Sequence, residues 1–199
     1  MSLPPLACEL PVVLLSHRGP VTFDRDAEGR RTAARGAGGL VTALTGLAGH
    51  LDDAVWVCVA PSGEDAAVAR EADGALVRLA LDGAARLLAE GEPEGGRVVS
   101  LRLVEIDPAV HDLFYGVIAN PLLWFIQHRL HDLARTPSLG RAEHEAFEQG
   151  YVVANQLAAD AVVEQVDKAG GSAVVLLHDY HFYLVADLVR QRCPDALIS

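Results

Sequence analysis

AVVLLHDYH, residues 173–181, is the stretch that decides the fold. Its first five residues are apolar, which is typical of a short strand buried on both faces of a sheet. The next four residues place a carboxylate between two histidines and a tyrosine, where that strand would end. A charged group at the end of a buried strand is costly unless it is paired or faces a solvated cleft. The stretch therefore predicts a parallel strand whose carboxyl end lies at a polar site.

The rest of the chain repeats this alternation of apolar strands with helices. Other short apolar runs predict strands at 11–16, 54–60, 74–81 and 98–106, and 196–198 resembles the start of another. Helical spacing predicts helices that begin near residues 38, 62, 107, 143 and 182, the third of them broken near Asn120-Pro121. Residues 26–29 suit a hairpin tip or loop, and the middle of residues 82–96 suits a helix. The pattern indicates an α/β fold with a mostly parallel, Rossmann-like sheet and helices on both faces.

Composition narrows the class of protein. The 199 residues include 16 basic and 27 acidic side chains, a formal net charge of −11. This balance argues against a nucleic-acid surface, which needs a basic stripe, although a few arginines can still hold a phosphate. The sequence has no run of about eighteen apolar residues, no signal-peptide pattern and no metal-ligand spacing among its three cysteines. We expect a cytoplasmic protein without a membrane span, cofactor or bound metal.

Polar candidates follow the predicted strands, where open parallel sheets bind their ligands. Arg18 suits either a surface residue or a phosphate ligand. Gly38-Gly39 suit either a turn or a set of backbone N–H groups facing an anion at a helix start. Asp179 either caps the following helix or faces a ligand. Tyr115 and Trp124 are either core residues or an aromatic platform for a sugar. The residues alone leave these alternatives open.

Four ordered segments resemble motifs of the retaining glycosyltransferase family that contains trehalose-6-phosphate synthase. Residues 16–20, Ser-His-Arg-Gly-Pro, are similar to the family's Ser-Asn-Arg-x-Pro motif. Residues 37–44 match Ala-Gly-Gly-Leu-Val-x-Ala-Leu, and residues 178–181 match His-Asp-Tyr-His. Residues 115–124 resemble Tyr-Asn-Gly-x-x-Asn-x-x-Leu-Trp. The resemblance covers nearly the whole chain.

This resemblance implies a residue set for the site. Residues 1–199 would form the N-terminal, acceptor-binding domain of a GT-B fold, in which two Rossmann-like domains face each other across a cleft. Arg18 would bind the phosphate of the acceptor, glucose 6-phosphate, and Tyr115 and Asp179 would bind the acceptor too, Asp179 as the catalytic carboxylate. Trp124 would line the acceptor pocket. Gly38 and Gly39 would approach the diphosphate of the donor, UDP-glucose or GDP-glucose.

The implied reaction is transfer of glucose to glucose 6-phosphate with retention, a step of trehalose biosynthesis. The family's donor-binding residues fall beyond Ser199, so we expect this chain to lack the C-terminal nucleotide-sugar domain and, alone, to lack hexosyltransferase activity. His17, Gly116 and Ile118-Ala119 depart from the motifs. These departures leave open a pseudo-glycosyltransferase, a glucosylglycerol-phosphate synthase-like relative or a non-catalytic sugar-phosphate-binding module. The sequence does not decide whether the chain forms a homo-oligomer.

Overall fold

A seven-stranded sheet forms the centre of the fold. The computed structural model describes residues 10–36, 38–48, 51, 54–81, 85–89, 98–130 and 139–199. Its strands are β1 (Val12–Ser16), β2 (Val21–Arg25), β3 (Arg31–Arg35), β4 (Ala54–Val59), β5 (Val77–Ala80), β6 (Arg86–Leu87), β7 (Val98–Val104), β8 (Val174–Leu177) and β9 (Leu197–Ile198). The sheet order is β6-β5-β7-β4-β1-β8-β9, and β2 and β3 form a separate hairpin. The five strands β7, β4, β1, β8 and β9 run parallel, and β5 runs antiparallel to both of its neighbours, β7 and β6.

Helices cover both faces of this sheet, which confirms the predicted α/β class. The helices are α1 (Gly39–Ala48), α2 (Gly63–Ala72), α3 (Pro108–Gln127), α4 (141–168) and α5 (Val185–Arg192). The apolar residues of β1 alternate between the two faces. Val13 and Leu15 join a core beneath α3, α4 and α5. Val12 and Leu14 join a second core beneath α1, α2 and the β2–β3 hairpin.

Most predicted element ends are confirmed by their local chemistry. Ser62 and Asp65 form a reciprocal capping box at the start of α2. Asp107 caps α3, with Pro108 at its first position. The glycines after α4, at 170 and 171, have φ values of 86° and 88°, which side chains with a Cβ rarely adopt. The middle of residues 82–96 is predicted as helical, but part of this stretch lies outside the described residues, and within 85–89 the chain forms β6 instead.

The predicted break at Asn120-Pro121 is wrong, because α3 continues through it as a π-helix over Asp112–Trp124. A proline lacks the N–H that an α-helix would use, and the wider π turn changes the hydrogen-bond register around it. A second π segment, Phe147–Val152, lies within α4 and packs against the first. Gly150 lies at this crossing. A Cβ there would lie 2.5 Å from the Cβ of Leu113, so only glycine permits the close approach of the two helices.

By length and composition, α3 could cross a membrane, with a mean hydropathy of 1.3 over its most apolar 18 residues. A single helix of this kind is weak evidence, because the core helix of a globular domain passes the same test. In this fold α3 packs on the sheet, with Phe114, Ile118 and Ala119 buried. These three make up 17% of the apolar window, and Leu113, Val117, Leu122 and Leu123 are partly buried against the same core.

Candidate functional site

The carboxyl ends of β1 and β8 lie side by side, which confirms the prediction that Arg18 and Asp179 share one edge of the sheet. The two strands pair in parallel, with Leu15 opposite Leu177. The backbone N–H of His178 donates to the carbonyl of Leu15 at 2.9 Å and extends this pairing by one residue. Arg18 and Asp179 therefore follow neighbouring strands at the position where α/β sheets bind ligands.

A cleft of about 460 Å³ opens beside the end of β1. Its walls come from the loop after β1, the β2–β3 hairpin, the loop after β4 and the first turns of α3. Arg18 is exposed, and its Nη2 lies 3.5 Å from the hydroxyl oxygen of Tyr115, at the outer limit of a hydrogen bond. Arg35 lines the opposite wall and donates to the carbonyl of Leu81 at 2.6 Å. Two arginines, Arg18 and Arg35, therefore line the cleft.

A group of nearly parallel rings forms the floor beside Arg18. The ring of His17, which is 6% exposed, stacks on Tyr115 with centroids 4.6 Å apart and on His181 at 4.7 Å. The Nε2 atom of His17 lies 3.2 Å from Nε2 of His111, on the first turn of α3. These contacts join the end of β1, α3 and the loop after β8 into one unit. His17 and His111 were not selected from the sequence, because two isolated histidines 94 residues apart give no spacing signal.

Burial dominates the electrostatics of these imidazoles. Desolvation, followed by the charges of His181, His111 and Arg18, holds the pKa of His17 well below its usual value. Burial also lowers the pKa of His111 and of His178. Three buried ring nitrogens have no hydrogen-bond partner among the described residues: Nδ1 of His17, Nε2 of His178 and Nε2 of His181. Buried polar atoms are nearly always paired, so this concentration of unpaired nitrogens is typical of a site that receives a polar ligand or water.

Asp179 has an unusual backbone conformation, with φ 76° and ψ 164°. This region is almost exclusive to glycine and costs about 1–3 kcal/mol for other residues. The Oδ1 atom of Asp179 accepts from the N–H of Tyr180 at 2.8 Å, and Oδ2 lies 3.4 Å from Nδ1 of His181. Partial burial acts to raise the pKa of the carboxyl group, but these two contacts lower it below its usual value. The carboxylate therefore caps the 3₁₀ turn Tyr180–Phe182 and also remains accessible to a ligand.

Buried polar groups on α4 support the 180–184 segment from below. The hydroxyl of Tyr151 donates to the carbonyl of Tyr180 at 2.7 Å. The amide of Asn155 donates to the carbonyl of His181 at 3.0 Å and accepts from the N–H of Leu184 at 3.1 Å. Sequence reasoning missed this pair, although a tyrosine and an asparagine four residues apart on the apolar side of a helix are a usable signal. They hold the loop that carries Asp179.

Of the predicted site residues, Arg18 and Tyr115 line the cleft, whereas Asp179 does not line it and contacts His181 in the ring group beside it. Trp124 lies about two turns beyond Tyr115 on α3 and contacts Phe125 and His128, with centroids 5.0 and 4.5 Å apart. Gly38, with φ 123°, and Gly39 are exposed at the start of α1, beside a smaller cleft of about 220 Å³. Ala37, in the same motif, lies outside the described residues. The roles of all the predicted site residues, including Arg18, Tyr115 and Asp179, stay predictions. Within the described ranges, no group of three or more His, Cys, Asp or Glu side chains is arranged to hold a metal ion.

The chain is similar to known proteins over nearly its whole length. It is 28% identical over 94% of its length to validamine 7-phosphate valienyltransferase of Streptomyces hygroscopicus, and 30% identical over 92% to a UDP-forming α,α-trehalose-phosphate synthase of Yarrowia lipolytica. It spans about a third of each relative's length, 35% and 33%. The solved α,α-trehalose 6-phosphate synthase of Burkholderia multivorans shares the fold, with a TM-score of 0.54 at 19% identity, over 95% of this chain and 32% of the other.

The sequence profile of glycosyltransferase family 20 matches residues 11–199. This match covers every segment on which the resemblance to trehalose-6-phosphate synthase depends, and it confirms that resemblance. The chain therefore belongs to glycosyltransferase family 20.

Proposed function

We propose that this chain is the acceptor-binding part of a retaining glycosyltransferase that transfers glucose from a nucleotide-glucose donor to glucose 6-phosphate. In this proposal, Arg18 binds the phosphate of the acceptor, Tyr115 and Asp179 bind its sugar, and Trp124 lines the pocket when the acceptor is present. Gly38 and Gly39 face the diphosphate of the donor. UDP-glucose is the donor favoured by the UDP-forming relatives. A cytoplasmic location follows, since that is where such donors and sugar phosphates occur.

The observation that carries the proposal is the placement of the Arg18 guanidinium beside the Tyr115 hydroxyl in the cleft. A guanidinium binds a phosphate by charge-assisted hydrogen bonds. A phenolic hydroxyl next to it can bind a phosphate or sugar oxygen, as donor or acceptor. The two groups come from segments 97 residues apart, and the fold brings them together at the carboxyl edge of the sheet.

The strained backbone of Asp179 supports a ligand role for its carboxylate. A cap alone does not explain a conformation that costs about 1–3 kcal/mol, because capping is worth about as much and does not require this conformation. Strained residues concentrate at ligand sites, where the surrounding structure holds them in place. In the proposal, the carboxylate of Asp179 accepts hydrogen bonds from the hydroxyl groups of the acceptor.

A second acceptor class is favoured by one finding. The valienyltransferase relative is named for a different phosphorylated acceptor, validamine 7-phosphate, and its identity to this chain is close to that of the synthases. A cyclitol phosphate is therefore the alternative to glucose 6-phosphate. Both ligands would place a phosphate on Arg18, and they would differ at the end of the ligand nearer to Asp179.

Calorimetric titration with glucose 6-phosphate and with glucose tests the proposal. The parent should bind the phosphate ester more tightly than glucose, and Arg18→Ala should remove most of that difference. The expected loss is about 1.5–3 kcal/mol, the range for hydrogen bonds to charged groups. Arg141→Ala is the matched control, because Arg141 is exposed and pairs with Glu145 outside the cleft. If Arg18→Ala bound glucose 6-phosphate like the parent, the assignment of the cleft would be wrong.

A further inference from the structure

His17 and His111 form a pair of imidazoles in which one nitrogen of each ring faces the other. Their Nε2 atoms are 3.2 Å apart, their centroids are 5.5 Å apart, and their planes differ by 25°. The rings therefore meet edge to edge, which is the geometry of an N–H···N hydrogen bond with one proton between two nitrogens. No family motif quoted above includes His111.

The pair lies in the wall of the cleft that also contains Arg18. Tyr115 connects the two groups, since its hydroxyl lies 3.5 Å from the Arg18 guanidinium and its ring stacks on His111 with centroids 5.5 Å apart. His111 is only partly buried, so its ring is accessible from the cleft. An anion held by Arg18 beside the Tyr115 hydroxyl would thus occupy the cleft that His111 lines.

Several charged or titratable groups surround the pair. Arg18, Asp179 and His181 lie near His17, and Asp112 and His181 lie near His111. Arg35 also lines the cleft. Arg70 and Glu105, which form an ion pair, lie on the other side of His111. Burial outweighs these charges and lowers the pKa of both imidazoles, so the pair is neutral at neutral pH. One added proton preserves the hydrogen bond, because an imidazolium N–H can donate to a neutral imidazole.

We propose that His111 is a second binding residue for the anionic group held by Arg18, and that His17 is the positioning residue that holds the His111 ring in the cleft. This inference rests on the proposed function, because it assigns a further residue to the same site. A bound dianion favours the protonated form of the pair. Binding near neutral pH is therefore accompanied by proton uptake, and the affinity rises as the pH falls.

Sulfate is the probe that separates this effect from the titration of the ligand. A phosphate ester changes its own charge near a pKa of about 6, whereas sulfate keeps its charge in this range. We expect the parent to bind sulfate about tenfold more tightly at about pH 5.5 than at about pH 8, where the pair has lost its proton. Calorimetry at intermediate pH, in buffers of different ionisation enthalpy, should show proton uptake on binding.

Variants of His111 and His17 separate a binding role from a structural one. His111→Gln should keep the fold and lose both the rise in affinity and the proton uptake. His111→Lys should restore tight binding without the pH dependence, because its charge is fixed in this range. His17→Asn should reduce the rise in affinity while His111 remains. His128→Gln is the matched control directly after α3, since His128 is exposed and its ring contacts the carbonyl of Trp124 outside the cleft.

The outcomes distinguish this inference from the proposed function. The inference would be overturned if the sulfate affinity of the parent and of His111→Gln depended equally on pH while sulfate binding still required Arg18. The proposed function would then still stand. The proposed function, and the inference with it, would be contradicted if Arg18→Ala changed the binding of neither sulfate nor glucose 6-phosphate at any pH.

Discussion

Gly150→Ala should destabilise the protein, although alanine is the better helix former. In an open helical position the exchange gains about 1 kcal/mol. At Gly150 the new Cβ would lie 2.5 Å from the Cβ of Leu113 and 2.6 Å from the backbone N of Phe114. Non-bonded carbon atoms prefer about 3.5–4.0 Å, so the π segments of α3 and α4 would have to separate by about 1 Å.

The net effect follows from these opposing contributions. Overpacking costs about 1–3 kcal/mol, and the upper end applies because two of the closest atoms belong to the backbone and cannot rotate away. We therefore expect a net loss of about 2 kcal/mol in the free energy of unfolding. Gly116→Ala is the matched control on α3, since a Cβ there meets no atom within 4 Å, and it should gain about 1 kcal/mol.

Urea unfolding followed by circular dichroism measures both variants. The midpoints should move in opposite directions with similar slopes. The reasoning would be refuted if Gly150→Ala were as stable as Gly116→Ala, because the two helices would then not be in the close contact described. Gly150→Ala should also weaken glucose 6-phosphate binding, since α3 carries Tyr115 and His111 into the cleft.

Three further predictions concern acidic residues. Asp179→Asn should weaken glucose 6-phosphate binding in calorimetry while the melting temperature stays close to the parent's, because an amide oxygen can still cap the turn; unchanged affinity would leave Asp179 as a cap only. Asp65→Ala should lower the free energy of unfolding, measured in urea, by about 2–4 kcal/mol, because the buried carboxylate of Asp65 accepts from a backbone N–H in β2 and caps α2. Asp65→Asn should lower the free energy of unfolding by less. Hydrogen bonds from Arg31 lower the pKa of Glu64 and Glu71 in the folded protein. The stability that these carboxylates contribute is therefore fully present above their ordinary pKa. It is lost as the pH falls through the lowered pKa values. Thermal melts from about pH 6 to about pH 3 should show a smaller loss in Arg31→Leu than in the parent, and equal losses would contradict this coupling.

The sequence predicts the strands and their edge because buried parallel strands are continuous apolar runs. Val12–Ser16 and Val174–Leu177 both lie in predicted strands, and their parallel pairing follows from the alternation with helices. The antiparallel direction of β5 was not predicted, since strand direction leaves no local pattern in the side chains. The π-helices were also missed, because Pro121 indicates an interruption when only α-helical hydrogen bonding is considered.

The candidate site residues came from the resemblance, because the residues alone left their roles open. The structure brings Arg18 within 3.5 Å of Tyr115, and Asp179 contacts His181, which stacks on His17. The binding roles of these residues stay predictions. The His17–His111 pair could not be predicted, because the contact depends on how α3 lies across the end of β1. No local sequence pattern encodes that crossing.

The backbone of Asp179 has a consequence for how this position changes over generations. Aspartate codons differ from glycine codons by a single base, and glycine would adopt φ 76° and ψ 164° without the steric penalty. Random mutation thus offers a ready route to a relaxed loop at the expense of the carboxylate. A lineage freed from the need to bind a ligand here would drift toward glycine, whereas one that keeps the acid continues to be selected for it. Under the proposed function, the residue found at 179 in a related gene therefore indicates whether that gene still encodes the carboxylate that binds the acceptor.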